Sequence, residues 1–327
     1  MTPYFFTTHS RTFDTRTSLC ADSSTRNASG PMFSNADIVP RDARMFSVAN
    51  QAQRGVTKLM IKLGVLGVGD LTEKMIRGLH RSGSDATFLL SPRSRARAES
   101  LANDIGCTLM RDNQQVADAA DVVLIGVRPG QLGELAQEIS LKPGIPLISV
   151  VSGVPVGDLQ RMFGARECTR AMLSLAAEIN RSTVAVYPAD SAMAPLLTAL
   201  GNPVLLATER EFELATVGAC MNGWFYFLLH DLQQWFVQKG FAPDDARQLV
   251  LSGVEDCVAY SRYKASSGIG EIGSSIATPG TYTAQGLDVL ERLGGNAAWK
   301  AACEHVFEQL TAKEHDHSDS NSKSRRE

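Results

Sequence analysis

The chain has no apolar run of the roughly 18 residues a helix needs to cross a bilayer. Its six cysteines, Cys20, Cys107, Cys168, Cys220, Cys257 and Cys303, form neither a Cys-x-x-Cys pair nor a dense framework. Reduced thiols in a cytoplasmic protein are therefore expected, without disulfides or a metal site. Neither sign of charge dominates: 32 basic residues meet 35 acidic ones, a formal net charge of −3. Such a balance argues against general binding to nucleic acid or to an anionic membrane. No Gly-x-Ser-x-Gly elbow occurs, and His80, His230 and His305 fall on helical patterns, so a hydrolase lacks support. What remains is a chain of 327 residues, 44% hydrophobic and 20% charged, long enough for two domains with separate cores.

The two ends lack apolar periodicity. Residues 1–59 are rich in Ser, Thr, Arg and Asn and cannot bury enough apolar surface to offset the entropy of ordering them. An organelle-targeting peptide is one reading, against which stand Asp14, Asp22, Asp37 and Asp42. The other, which we favour, is a non-native extension ahead of a true start at Met60, directly before the first strand. Residues 313–327 are expected to form a disordered polar tail, in which His315 and His317 are solvated rather than metal-bound.

Between these ends the pattern is strand, turn, helix. "KLGVLGV" is the continuous apolar run of a parallel strand covered on both faces. Gly67, Val68, Gly69, Asp70 and Leu71 follow, leading into a helix to Arg81 with Met75, Ile76 and Leu79 on one face. Glycines permit a sharp turn, and the first N–H groups of the helix suit a pyrophosphate. Thr72 stands where the dinucleotide fingerprint wants a third small residue, and Asp70 would repel a diphosphate unless it pointed away. A second strand, Ala86 to Leu90, ends not on the acidic residue of an NAD site but on Ser91, Pro92, Arg93 and Ser94, with Arg95 and Arg97 close behind. Hydroxyls and guanidinium groups suit a 2′-phosphate, and arginines opening a helix are unfavourable without an anion; both points favour NADPH over NADH.

The alternation continues through a strand from Asp121 to Val127, a helix through Ile139 and the strand "PLISVVSGV". It predicts an α/β fold with a doubly wound, mainly parallel, Rossmann-like sheet. Ligands bind such sheets at the C-terminal strand ends, which here carry Gly67–Leu71, Ser91–Ser94, Gly126–Pro129 with Val127 and Arg128, and Val150–Gly153 with Ser152. Two further strand-containing units close the sheet by residue 208. From Glu209 a helix of about 30 residues is apolar on nearly all faces, so it belongs in a core or a subunit interface. Gly240 stops it. A second helix follows from Pro243, then a glycine- and hydroxyl-rich stretch, "SSGIGEIGSSIATPGTYTAQG", and two last helices, Thr283 to Leu293 and Ala297 to Thr311.

Over residues 60–312 this order resembles the pyrroline-5-carboxylate reductase family, through "GVLGVGDL", "SPRS", "GVRPGQL", "SVVSGV", "TRAM" and "ATPGTYTAQGLDVLERLG". The resemblance implies an NADP-binding Rossmann-like domain over 60–208 and an all-helical dimerisation and substrate domain over 209–312. It implies a homodimer or higher homo-oligomer that transfers hydride from NADPH to the carbon of a small cyclic imine. By position, Thr283 and Thr278 stand for the substrate-side hydroxyls, and Asn113, Arg128 and Pro129 for cofactor contacts. Thr283 is also a candidate N-cap for the helix that follows it. Two segments depart from the family: Met172–Ala176 replaces Met-Pro-Asn-Thr-Pro, and "ACMNGWF", Ala219 to Phe225, replaces Ser-Gly-Ser-Gly-Pro-Ala-Tyr. These departures motivate an alternative, a catalytically altered nucleotide-binding paralogue acting as a dimeric regulator or scaffold.

Overall fold

A computed structural model of the chain describes residues 61–323, with side chains described from 61 to 312. The expectations for residues 1–59, for a start at Met60 and for Cys20 lie outside the described residues, as does the tail beyond 323.

The first half is one sheet of eight strands: β1 (Lys62–Leu66), β2 (Thr87–Leu90), β3 (Thr108–Leu109), β4 (Val122–Ile125), β5 (Leu147–Ser149), β6 (Cys168–Met172), β7 (Ser182–Tyr187) and β8 (Gly201–Leu205). They lie in the order β3-β2-β1-β4-β5-β6-β7-β8. The pairs from β3 to β6 are parallel; β7 runs antiparallel to β6, and β8 parallel to β7. The end of the sheet thus holds three strands, two of them reversed, where the sequence indicated two strand-containing units.

Alternation along the strands feeds two cores. Leu63, Val65, Val122 and Leu124 face α1 (Asp70–Arg81) and α2 (Arg95–Ile105), burying Met75, Ile76, Leu79, Ala98 and Leu101. Leu66, Val123, Ile125 and Leu147 face α3 (Asn113–Ala119), α4 (Leu132–Glu138) and α5 (Val156–Phe163). Covering both faces is what the unbroken apolar runs require, and the sheet is doubly wound. The direction of winding switches between β1 and β4, and ligands bind beside such a switch. A short helix, α6 (Ala194–Thr198), lies between β7 and β8.

Beyond Leu205 the described chain is helical: α7 (Glu209–Gln238), α8 (Pro243–Tyr263), α9 (Ile269–Ile276), α10 (Tyr282–Arg292) and α11 (Gly295–Lys323). A capping box starts α7: the Thr208 hydroxyl accepts from Glu211 N at 3.2 Å, and the Glu211 carboxylate accepts from Thr208 N at 2.9 Å. The glycine-rich stretch contains α9, because Ile269, Ile272 and Ile276 recur at helical spacing. The tail expected to be disordered from 313 instead continues α11 to Lys323.

At the root of α7 lies a buried charge cluster. Arg170 on β6 is fully buried, with Nη1 2.7 Å from the buried Glu213 carboxylate and also bonded to Glu209. Its guanidinium carbon lies 4.2 Å from the centre of the Phe212 ring. Glu209 also accepts from the Val156 N–H at 2.7 Å, tying α7 to the start of α5.

Candidate dinucleotide site

The turn after β1 is shaped by contacts that only glycine permits. Gly67 has φ of +94°, and a Cβ there would meet Val127 Cγ1 at 2.8 Å and the Gly126 carbonyl at 2.9 Å. Gly69 is the N-cap of α1 and brings no side-chain bond to the helix's first N–H groups. Thr72 explains its departure from the fingerprint. Its buried hydroxyl donates to Gly67 O at 2.9 Å and lies 3.1 Å from Gly69 O, pinning the turn from beneath. Its methyl sits where Gly126 leaves room: a Cβ on Gly126 would lie 2.2 Å from Thr72 Cγ2. The sequence marks Thr72 as a departure from the fingerprint and Gly126 as part of a strand end, but not that one packs against the other.

The open side of this turn is a crevice of about 640 Å³ lined by Val68, Gly69, Glu73, Ser94, Arg95, Ala96, Arg97 and Ser100. An uncapped helix start, a turn kept free of side chains and a basic wall fit the phosphates of a dinucleotide. Of the remaining predicted cofactor residues, Val127, Arg128 and Pro129 follow β4, which pairs with β1, and Ser152 and Gly153 follow β5, one strand further out.

Several predicted residues have partners of their own. Ser91 is fully buried, and its hydroxyl accepts from Gly67 N at 3.0 Å, so it fixes the turn rather than presenting an oxygen to a ligand. Asn113 is buried at the start of α3 and donates to Glu138 on α4 at 2.8 Å. The arginines were expected to want an external anion, yet each has a carboxylate within the chain. Arg95 donates to Glu99 at 2.8 Å, and Arg97 lies 3.1 Å from Glu73 and 3.8 Å from Asp70. Arg93 reaches Glu134 at 3.4 Å. Asp70, the residue that seemed out of place beside a diphosphate, is thus turned toward Arg97. Arg77 continues the network to Asp104 at 2.9 Å, and that hydrogen bond holds the Asp104 carboxyl below the ordinary carboxylate value.

The substrate-side candidates lie on the helical part. Thr278 and Thr283 are both exposed. The cap of α10 is not Thr283, which lies inside the helix, but Thr281, whose hydroxyl accepts from Ala284 N at 3.2 Å and donates to Thr278 O at 2.8 Å. An N-cap needs extended backbone, which Thr281 has and a residue already within the helix cannot adopt. Two bulky residues of "ACMNGWF" meet α11, where Trp299 stacks on the exposed Phe225 at 5.2 Å and lies 6.0 Å from the half-buried Trp224, centre to centre.

Large apolar side chains elsewhere on these helices are uncovered. Phe227 is 73% exposed, Tyr263 78%, Ile269 76% and Leu293 79%. Between α8 and α9 lies an apolar groove of about 720 Å³ lined by Tyr260, Tyr263, Ile269, Ile272 and Ile276. Among the described residues no helix is long and apolar enough to cross a membrane, and no group of His, Cys, Asp and Glu is placed to hold a metal.

Comparison with known proteins follows the same division. Residues 62–153 match the family model described as NADP oxidoreductase coenzyme F420-dependent, and residues 209–312 the one described as pyrroline-5-carboxylate reductase dimerisation. A pyrroline-5-carboxylate reductase from Pseudomonas aeruginosa is 23% identical over 274 residues, covering 76% of this chain and 98% of its own. The 1-pyrroline-5-carboxylate reductase of Streptococcus pyogenes has a similar structure, with a TM-score of 0.70 at 22% identity over 77% of this chain and 99% of that one. The Plasmodium falciparum pyrroline carboxylate reductase, solved with NADP bound, gives 0.69 at 20% identity over 77% and 98%. The structural likenesses speak for the fold.

Proposed function

The chain is a divergent member of the pyrroline-5-carboxylate reductase family, and from that premise we propose that it reduces a small cyclic imine with NADPH in preference to NADH. Pyrroline-5-carboxylate, and with it proline synthesis, is the first substrate to test. The observation that carries this reading is the glycine turn, with Gly67 held at φ of +94° against Gly126 and α1 left uncapped at the crevice. The reading divides the chain into a nucleotide-binding part, 60–208, and a helical part, 209–312.

When bound, the reduced nicotinamide supplies a hydride to the imine carbon. The protein's own work is to hold and polarise the C=N bond. Hydride addition leaves the nitrogen basic, so a hydroxyl that hydrogen-bonds it, or relays a proton from water, stabilises the transition state. Thr283 takes that role, and Thr278 shapes the turn before it. Both are exposed in a single chain, so the reading includes a second copy that covers the helical part and closes the site. The apolar groove between α8 and α9 and the match to a dimerisation model support a homodimer.

A nucleotide-binding regulator or scaffold is the second reading, favoured by the loss of the family's polar segments at Met172–Ala176 and Ala219–Phe225. Turnover of a panel of cyclic imines, pyrroline-5-carboxylate included, separates the two: NADPH oxidation dependent on an imine supports the reductase, and none across the panel supports the regulator. Cofactor preference is read from binding. Losing one charge-assisted phosphate contact corresponds to about 1.5–3 kcal/mol, so Arg93→Ala should weaken NADPH by roughly 10- to 150-fold and leave NADH unchanged. Equal weakening of both cofactors would remove Arg93 from the 2′-phosphate site.

A further inference from the structure

The cofactor reading gives Arg93 to a 2′-phosphate, yet Arg93 already holds an anion. Its Nη2 lies 3.4 Å from the Glu134 carboxylate. The position of this pair sets it apart. Arg93 follows β2 and Glu134 belongs to α4, which follows β4, and β1 lies between those two strands. The pair therefore bridges the two strand ends that flank the glycine turn. Arg95 is paired within its own helix, and Arg97 pairs with α1.

Resting on the reading that a nicotinamide dinucleotide enters this crevice, we infer that Glu134 is a specificity-determining residue: its carboxylate pairs with Arg93 and yields it to a 2′-phosphate but not to a 2′-hydroxyl. Both side chains are well exposed, 49% for Arg93 and 70% for Glu134, so the pair is weak and screened by salt. A phosphate brings up to two negative charges and three acceptor oxygens to the guanidinium and outcompetes a carboxylate. A hydroxyl has no charge to offer and leaves the pair in place. Glu134 thus holds the preference for the phosphorylated cofactor below what Arg93 alone would give.

The test uses fragments that carry the ribose chemistry without the nicotinamide. Calorimetry with the full chain compares adenosine 2′,5′-bisphosphate with 5′-AMP. Glu134→Gln, an exposed change between two good helix formers, should tighten the bisphosphate by about 2- to 5-fold at low salt. It should leave 5′-AMP unchanged, and the gain should shrink in 0.5 M salt. In an Arg93→Ala background the same change should have no effect. Equal tightening of both fragments would show a general effect of charge and overturn the inference. So would an unchanged bisphosphate affinity, or a gain that survives Arg93→Ala. Because the fragments need no hydride transfer, the result is independent of the imine panel. Glu134→Gln can succeed while no imine is reduced, and it can fail while turnover is found.

Discussion

The strand ends of the sheet and the helices beyond Glu209 are built to different degrees of completion by the same chain. Around Gly67 the elements have their counterparts: Thr72 beneath the turn, Ser91 beside it, Gly126 opposite, and a carboxylate for each of Arg93, Arg95 and Arg97. In the helical part, side chains as large as Phe227, Tyr263 and Ile269 are left to solvent, and the two candidate hydroxyls stand uncovered. A site that one chain closes can be judged from that chain. A site whose walls are missing is read from what would have to cover it, and under the proposed homodimer the helical part would be one half of an interface.

The contrast can be broken at the point where the two regions join. Arg170→Met removes the cation and leaves the Glu213 carboxylate buried. Breaking a buried pair by removing one partner costs about 3–5 kcal/mol, a fall in melting temperature of roughly 10 °C for a chain of this size. Scanning calorimetry should show that fall, and adding Glu213→Leu should recover much of it. A melting temperature that Arg170→Met leaves unchanged would mean that the regions do not depend on this junction.

Next in size is the interface. Ile269→Asp puts a carboxylate in the apolar groove at the first position of α9, where an acidic residue suits the helix start and spares the fold. An unpaired charge buried between subunits costs several kcal/mol, so association should weaken by on the order of a hundredfold or more. Light scattering should then show monomers that still bind NADPH but have lost turnover. Monomers as active as the parent would show that the helical part is complete in one chain.

Smaller effects sharpen the comparison within α10. Thr283→Val should lower turnover of a confirmed imine by about tenfold or more with NADPH affinity intact, and Thr283→Ser should restore it. Thr281→Ala should do the opposite, lowering stability by about 1 kcal/mol as a lost cap with a lesser effect on rate. Thermal melts and steady-state kinetics on the same four proteins separate the roles.

The legibility of the sequence divides along similar lines. Strands β1, β2, β4 and β5 and helices α1, α7 and α8 follow from local signals: continuous apolar runs, the glycines after β1, Pro243 at a helix start. The partners of the arginines do not, because Glu134 lies 41 residues from Arg93 and nothing local joins them. Ser91 shows its hydroxyl in the sequence but not that the Gly67 N–H would claim it. Three threonines within Thr278–Thr283 compete for one cap, and backbone angle rather than residue type decides for Thr281. The helix α9 was legible in the spacing of Ile269, Ile272 and Ile276 and was obscured by the glycines and serines between them.

The cluster at Arg170 has a mechanical consequence. The 30 residues of α7 span about 45 Å. One end is clamped to β6 by Arg170 and, through Glu209, to the first residue of α5, just past Ser152 and Gly153. The other end carries Trp235 and Phe236 beyond the sheet's cores. A tilt of about 5° around the clamp moves that far end by about 4 Å over such a length. Under the proposed cofactor site and homodimer, a second subunit gripping the far end of α7 would act through this clamp on the chain just past Ser152 and Gly153.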